Sequence, residues 1–453
     1  MTRVAVVGAG PAGIAAASLL VERGLQVVVI DEQRDAGGQV WRRPTAGSTL
    51  DLARVLGPEF DAYRRFHAGF EVLRPRIDWR PQTLVWNVHG RTLQLAHSGR
   101  QDAIEFDALI LATGATDRVA PMPGWTLPGV FTLGGAQVLM KDQGCLIGGN
   151  VVFCGSSPLL YLAAAQYRRL GATVAVLDTT PWRAKLAALP RMLAAAGTLA
   201  KGLGLIAELK RAGVLIRHGV ALERFEGIDE VAAVQWRDAR GQAHRTACDA
   251  VAYGHGLRPE SQLAELAGCT LRFDPLTRQY FPEADALGRC RDGVYVAGDG
   301  AAIGGAEAAD ISGRLAAMAV LRELGQAADP GSLPAQLAAR RRFQEGAAQA
   351  FAWPAARVQA LDDAVPVCRC ENITAGEVRA VIAPDLGAAD VNRMKAATRC
   401  GMGRCQGRFC GSAAAELTAA ALGRLDAPLD RLRAQPPVKP IAIASAAGAA
   451  EWP

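Results

Sequence analysis

The sequence predicts an α/β fold with two parallel-sheet units and a small helical domain near its C-terminal end. Three observations predict it. A glycine loop, Gly8-Ala9-Gly10-Pro11-Ala12-Gly13, sits between a β-branched run and an apolar helix. The same strand–loop–helix–strand pattern returns at 150–180. Five of the ten cysteines then crowd into 368–410.

Composition narrows the classes. The chain has 453 residues, half of them apolar, enough for several cores. Net charge is +6 on 50 basic and 44 acidic residues, without the concentrated basic stripe that nucleic acid requires. No nucleic-acid partner is expected. Clustered cysteines in a chain this long indicate a metal or redox site rather than a secreted disulfide scaffold. A cytoplasmic location is expected, with peripheral membrane association left open. Val4 to Val21 carries no charge and mimics a signal peptide, but Gly8, Gly10, Pro11 and Gly13 interrupt it. No transmembrane segment is expected.

The first unit runs from Arg3 to Gln33. Gly8 allows a tight turn, Gly10 admits a pyrophosphate, and Gly13 lets helix pack on strand. The helix N-terminus offers free N–H groups to phosphate. Asp31 ends the second strand, where a carboxylate accepts from ribose hydroxyls, and Glu32 could share that task.

Further pieces indicate which dinucleotide. Gly37-Gly38-Gln39 follows the acid. A strand ends in Ala112-Thr113-Gly114, and another in Gly298-Asp299, before a helix that begins around Ala306. In this order they resemble the two-dinucleotide-binding-domain flavoproteins of the thioredoxin-reductase-like class, over residues 1–330. The resemblance implies FAD, bound by Gly8, Gly10, Ala12, Gly13, Asp31, Glu32, Gly38, Gln39, Thr113, Gly114, Gly298, Asp299 and Ala306. It also implies an FAD domain split over 1–135 and 251–330, with an NAD-like domain at 136–250 inserted. A linker with one helix follows at 331–363, then a cysteine domain at 364–425 and a tail at 426–453.

The second loop is degraded. It reads Gly155-Ser156-Ser157-Pro158-Leu159-Leu160. Ser157 stands where a missing Cβ admits pyrophosphate, and Leu160 replaces the helix-packing glycine. Asp178 lies as far from Gly155 as Asp31 lies from Gly8. The fold should persist while NAD(P)H hydride transfer is disfavoured. Gly155 and Asp178 remain candidates for a second adenine nucleotide; otherwise the domain is structural. His255, between two glycines, is either a flavin-tuning group or a turn residue. No C-x-x-C precedes the tail, so Cys145, Cys154, Cys248, Cys269 and Cys290 read as free thiols and disulfide reduction is not expected. No catalytic residue is assigned.

In the tail, Thr374 and Glu377 form a capping box, Asp390 can cap a second helix, and Ser412 a third. Cys368 and Cys370 share one loop, Cys405 and Cys410 another. C-x-C with C-x₄-C matches zinc knuckles poorly. Four thiolates from two loops can enclose a [2Fe–2S] rhomb; zinc and plain thiols are the alternatives. The stretch resembles the BFD-like (bacterioferritin-associated-ferredoxin-like) [2Fe–2S] domain. Cys368, Cys370, Cys405 and Cys410 are the expected ligands. Cys400 is the alternative, expected to present its thiol less freely because it ends a helix.

A flavin beside a [2Fe–2S] centre converts between two-electron and one-electron carriers. The whole chain resembles the large FAD/[2Fe–2S] subunits of multi-subunit amino-acid and opine dehydrogenases, most specifically in "GMGRCQGRFC". The resemblance implies a partner, the smaller amine-oxidising FAD subunit, with a further small ferredoxin-like subunit allowed. It implies that this chain passes on electrons from an amino or imino acid. Two rivals are a self-sufficient NAD(P)H-dependent reductase and a non-catalytic scaffold or nucleotide-sensing subunit.

Overall fold

The computed structural model describes residues 2–382, 389–425 and 428–442. The rest of the expected tail lies outside them.

The apolar strand Arg3–Val7 pairs in parallel with Gln26–Ile30 on one side and Ala108–Leu111 on the other. Asp78–Arg80, Val294–Val296 and Arg289–Arg291 complete a six-stranded sheet. Its inner strands are buried on both faces, which is why they read as continuous Val/Ile runs rather than alternating ones. Helix Pro11–Glu22 packs along helix Gly305–Glu323. The contact is close because Gly313 has no side chain: a Cβ there would meet the Ala12 carbonyl oxygen at 2.0 Å.

The second sheet orders Leu215–His218, Thr173–Asp178, Asn150–Gly155, Ala250–Gly254 and Val130–Thr132. The expected boundary at 136 therefore cuts too late. Val130–Thr132 belongs to the second sheet because it pairs in parallel with Val251–Tyr253. For the same reason the strand after 250 stays in the inserted domain.

Helix Leu333–Ala350 forms most of the linker and packs on helix Trp182–Met192. Among the described residues the cysteine domain holds a strand pair, Pro366–Cys368 with Ile373–Thr374, and three short helices, Ala375–Ala380, Val391–Thr398 and Gly411–Ala421. The Thr374–Glu377 capping box forms, and Asp390 caps the second helix through Asn392 and Arg393 N–H groups. The third start differs from expectation: Cys410, not Ser412, precedes the helix, without a side-chain cap.

Among the described residues one helical stretch, 182–211, is long and apolar enough to cross a bilayer by length and composition. It is interrupted by Pro190 and a tight turn at Leu193–Ala195. Its apolar stripe faces outward: Trp182, Leu186, Leu189 and Leu193 are 52%, 64%, 39% and 56% exposed.

Candidate functional site

The first glycine loop has the steric reasons its spacing implied. Gly8 holds φ +105°, and a Cβ there would lie 2.2 Å from the Ala112 carbonyl oxygen. A Cβ on Gly13 would meet the Gly8 oxygen at 1.8 Å. Gly10 and Gly38 face each other, the Cα of Gly10 lying 3.1 Å from a Cβ built on Gly38. Asp31 closes the loop: its carboxylate accepts from the Ala9 N–H at 2.6 Å and the Gln33 N–H at 2.7 Å. Burial pushes this carboxyl up, against those hydrogen bonds. Glu32 points elsewhere, into an ion pair with Lys439.

Thr113 and Gly114 lie at the neighbouring strand end, and both touch Glu260. Thr113 Oγ1 donates to the Glu260 carbonyl at 2.5 Å, and the Glu260 N–H donates to the Gly114 carbonyl at 2.9 Å. Gly298 packs against Ala12. Asp299 Oδ1 accepts from the Gly304 and Gly305 N–H groups at 2.8 and 3.0 Å, which fixes the start of the helix that carries Ala306. Gln39 holds Arg42 at 3.1 Å. A residue the sequence reading missed sits beside it. Lys141 is buried, lies 3.3–3.4 Å from the Val40 and Gln39 carbonyls, and is pushed down to about 8 by burial. Only folding brings it back to the Gly37–Gly38–Gln39 loop, about 100 residues earlier in the chain.

A cavity of about 700 Å³ opens between the two nucleotide domains. Asp299 and Ala302 form one wall; Ser157, His255 and Trp353 form the other. His255 bonds Ser156 Oγ at 2.8 Å, and burial pushes its imidazole down to about 3, so it is neutral. Arg118 stacks 3.8 Å over the Trp353 ring.

The second unit is filled from within. Gly155 keeps φ +124° and lies against Gly254. Ser157 Oγ accepts from the Leu159 N–H at 3.2 Å, and Leu160 is fully buried in the core. Asp178 has no solvent exposure. It accepts from Lys185 Nζ, from Tyr161 Oη and, at 2.7 Å, from the Thr180 N–H; His218 lies 3.5 Å away. Burial opposes its ionisation, but the His218, Lys185 and Tyr161 contacts outweigh that and hold it below the ordinary carboxylate range. Few acceptor positions remain for a ribose.

The five tail cysteines converge. Sulfurs of Cys368, Cys400 and Cys410 lie within 4.8 Å of one another, all buried. Cys370 and Cys405 share a hydrogen bond, and Cys405 also meets Cys410. Cys400 is expected to present its thiol less freely; Arg399 adopts φ +66°, which ends the helix, and the Cys400 sulfur lies with those of Cys368 and Cys410. The donor sets differ. Backbone N–H groups of Gly401 and Glu371 serve Cys368, that of Cys405 serves Cys370, and those of Phe409 and Gly407 serve Cys405. The leading partners of Cys400 are the side chains of Cys368 and Cys410. Hydrogen bonds from Cys400 and Cys410 hold Cys368 down to about 2, and bonds led by Cys410 hold Cys405 down to about 5. Five thiols gathered on two loops, two of them held low while burial or sulfur neighbours push the other three up, suit a thiolate-bound metal group.

Two glycine-loop units on parallel sheets, with a thiol nest beyond them, define a flavin-dependent oxidoreductase with an iron–sulfur module. Residues 2–320 match the pyridine nucleotide-disulphide oxidoreductase family, to which the chain belongs, and residues 366–420 match the BFD-like [2Fe–2S] binding domain. The chain is 37% identical to an opine oxidase subunit of Agrobacterium tumefaciens (strain Ach5), over 98% of this chain and 90% of that one. It is 32% identical to hydrogen cyanide synthase subunit HcnB of Pseudomonas protegens, over 96% and 95%. Among solved structures, L-proline dehydrogenase from P. horikoshii shares the fold, with a TM-score of 0.71, 23% identity, and coverage of 97% of this chain and 79% of that one. The protein is therefore an FAD-dependent oxidoreductase chain carrying a [2Fe–2S]-binding domain.

Proposed function

We propose that this chain is the electron-transferring subunit of a heteromeric amino-acid or opine dehydrogenase. A smaller amine-oxidising flavin subunit removes two electrons from the substrate C–N bond, and this chain carries them onward. A further small ferredoxin-like subunit fits the same scheme. A flavin accepts an electron pair and releases single electrons to a [2Fe–2S] centre. The residues here do the rest. Asp31 and the 8–13 loop would hold the adenosine and pyrophosphate, Thr113, Gly114, Gly298 and Asp299 the remainder of FAD. Cys368, Cys370, Cys405 and Cys410 would hold the cluster. The backbone N–H donors to three of these four favour that set over one with Cys400.

The observation that carries this reading is the filled second unit. Asp178 is engaged by Lys185, Tyr161 and Thr180, so the rival reading, hydride from NAD(P)H, lacks its ribose anchor. Relatives named as subunits support a multi-subunit assembly. The outward Trp182–Leu193 stripe offers an apolar contact face for a second subunit.

The test is anaerobic. NADH mixed with the purified chain should leave the flavin's visible band intact. An opine or amino acid should bleach it only when the co-expressed partner is present. Rapid bleaching by NADH alone would favour the reductase; no bleaching in the assembled complex would favour the scaffold.

A further inference from the structure

Three charged side chains lie where the FAD domain meets the cysteine loop. Glu260 binds Arg408 by two hydrogen bonds, 2.6 Å to Nε and 3.0 Å to Nη2. Both are largely enclosed, their side chains 13% and 8% exposed. Arg258 reaches across from the same FAD-domain strand and donates to the Arg408 carbonyl at 3.0 Å. That carbonyl lies two residues before Cys410. Arg408 itself donates to the Cys405 carbonyl at 3.2 Å. Burial disfavours the charge of Arg258, and the Glu260 carboxylate is the main group that offsets it.

The charges here do not cancel. Glu260 is ion-paired with Arg408, Arg258 adds a second positive charge near that one carboxylate, and the nearby Lys439 is already paired with Glu32. An enclosed surplus cation is costly unless an anion neutralises it. The anion that fits is the thiolate-bound cluster, which carries net negative charge and gains one more on reduction. A fixed cation favours the more negative, reduced form.

We propose that Arg258 is a positioning and potential-setting residue for the cluster: it pins the Arg408–Cys410 segment and raises the cluster's reduction potential. Glu260 opposes it electrostatically, while its backbone ties the same strand to Thr113 and Gly114 in the flavin site. The FAD domain thereby sets the energy at which its own electrons leave.

This rests on the cluster reading above, and the experiment separates the two. Iron, acid-labile sulfide and flavin are quantified in the full chain, and the cluster midpoint is read by EPR-monitored redox titration. Arg258→Gln should move the midpoint negative by about 59 mV, a tenfold change in the one-electron equilibrium. Arg258→Lys should keep most of the wild-type value. Glu260→Gln should move it positive. An unchanged midpoint in iron-replete Arg258→Gln, or shifts of the same sign in both neutral variants, overturns the proposal alone. If Arg258→Gln fails to retain iron, the Glu260→Gln shift decides. Wild-type chain without iron overturns the cluster reading and this inference with it.

Discussion

Glu416, fully buried in the last helix of the cysteine domain, accepts parallel hydrogen bonds from Arg278 of the FAD domain at 2.7 and 2.8 Å. Trp353 Nε1 and Gln359 Nε2 from the linker donate to the same carboxylate at 3.2 and 2.8 Å. One acid thus joins three segments of chain. Glu416→Ala removes the acceptor of Trp353 Nε1 and Gln359 Nε2 together with the Arg278 pair, and should cost about 1–3 kcal/mol. Denaturant titration should show the loss, and limited proteolysis should open the 351–364 linker first. Unchanged stability would mean the pair does not hold the domain.

Gly10 and Gly13 should separate cofactor binding from folding. A Cβ on Gly10 meets Gly38 at 3.8 Å, an ordinary contact, so Gly10→Ala should fold normally and lose flavin to the blocked pyrophosphate path. Gly13→Ala drives a Cβ to 1.8 Å from the Gly8 oxygen and should destabilise the fold by about 1–3 kcal/mol. Flavin content by absorbance and melting temperature measure the two effects.

The ligand set is tested by serine replacement. Cys405→Ser should lose most of the iron, since its thiolate receives N–H groups from Phe409 and Gly407. Cys400→Ser should retain iron and sulfide. Equal loss in both would bring Cys400 into the ligand set.

His255 supplies a pH signature. Burial holds its imidazole at about 3, below the ordinary 6.5. Between those values the unfolded chain binds a proton that the folded chain refuses. This site therefore lowers stability as pH falls through that window, by about 1.4 kcal/mol per pH unit, and contributes no further loss below it. His255→Asn keeps a bonding atom near Ser156 without the titration. The stability advantage of wild type over the variant should shrink from pH 7 to pH 5, read by denaturant midpoints. A constant difference would mean that His255 is protonated in the fold.

Much of the fold was legible because glycine spacing and strand hydrophobicity are local. The turn at Gly8 and the tight helix at Gly13 follow from missing Cβ atoms a few residues apart, as does the defect at Leu160. Cysteine spacing likewise exposed a thiol site. The domain boundary was misplaced because Val130–Thr132 is short and carries no signal of its sheet; only pairing with Val251–Tyr253 assigns it. The place of the Cys400 thiol was not legible because a helix end says little about where a thiol points until the chain turns at Arg399.

By itself the sequence determined two nucleotide-type units, the failed fingerprint of the second, and a cysteine cluster to follow, because each depends on residues within one unit. Tertiary structure alone decided that Lys185 and Tyr161 close over Asp178, that Lys141 returns to the Gly37–Gly38–Gln39 loop, and that Arg258 and Glu260 meet the cysteine loop. Those pairings join residues far apart in the chain. Charge and burial act through space, and only the packed fold sets those distances.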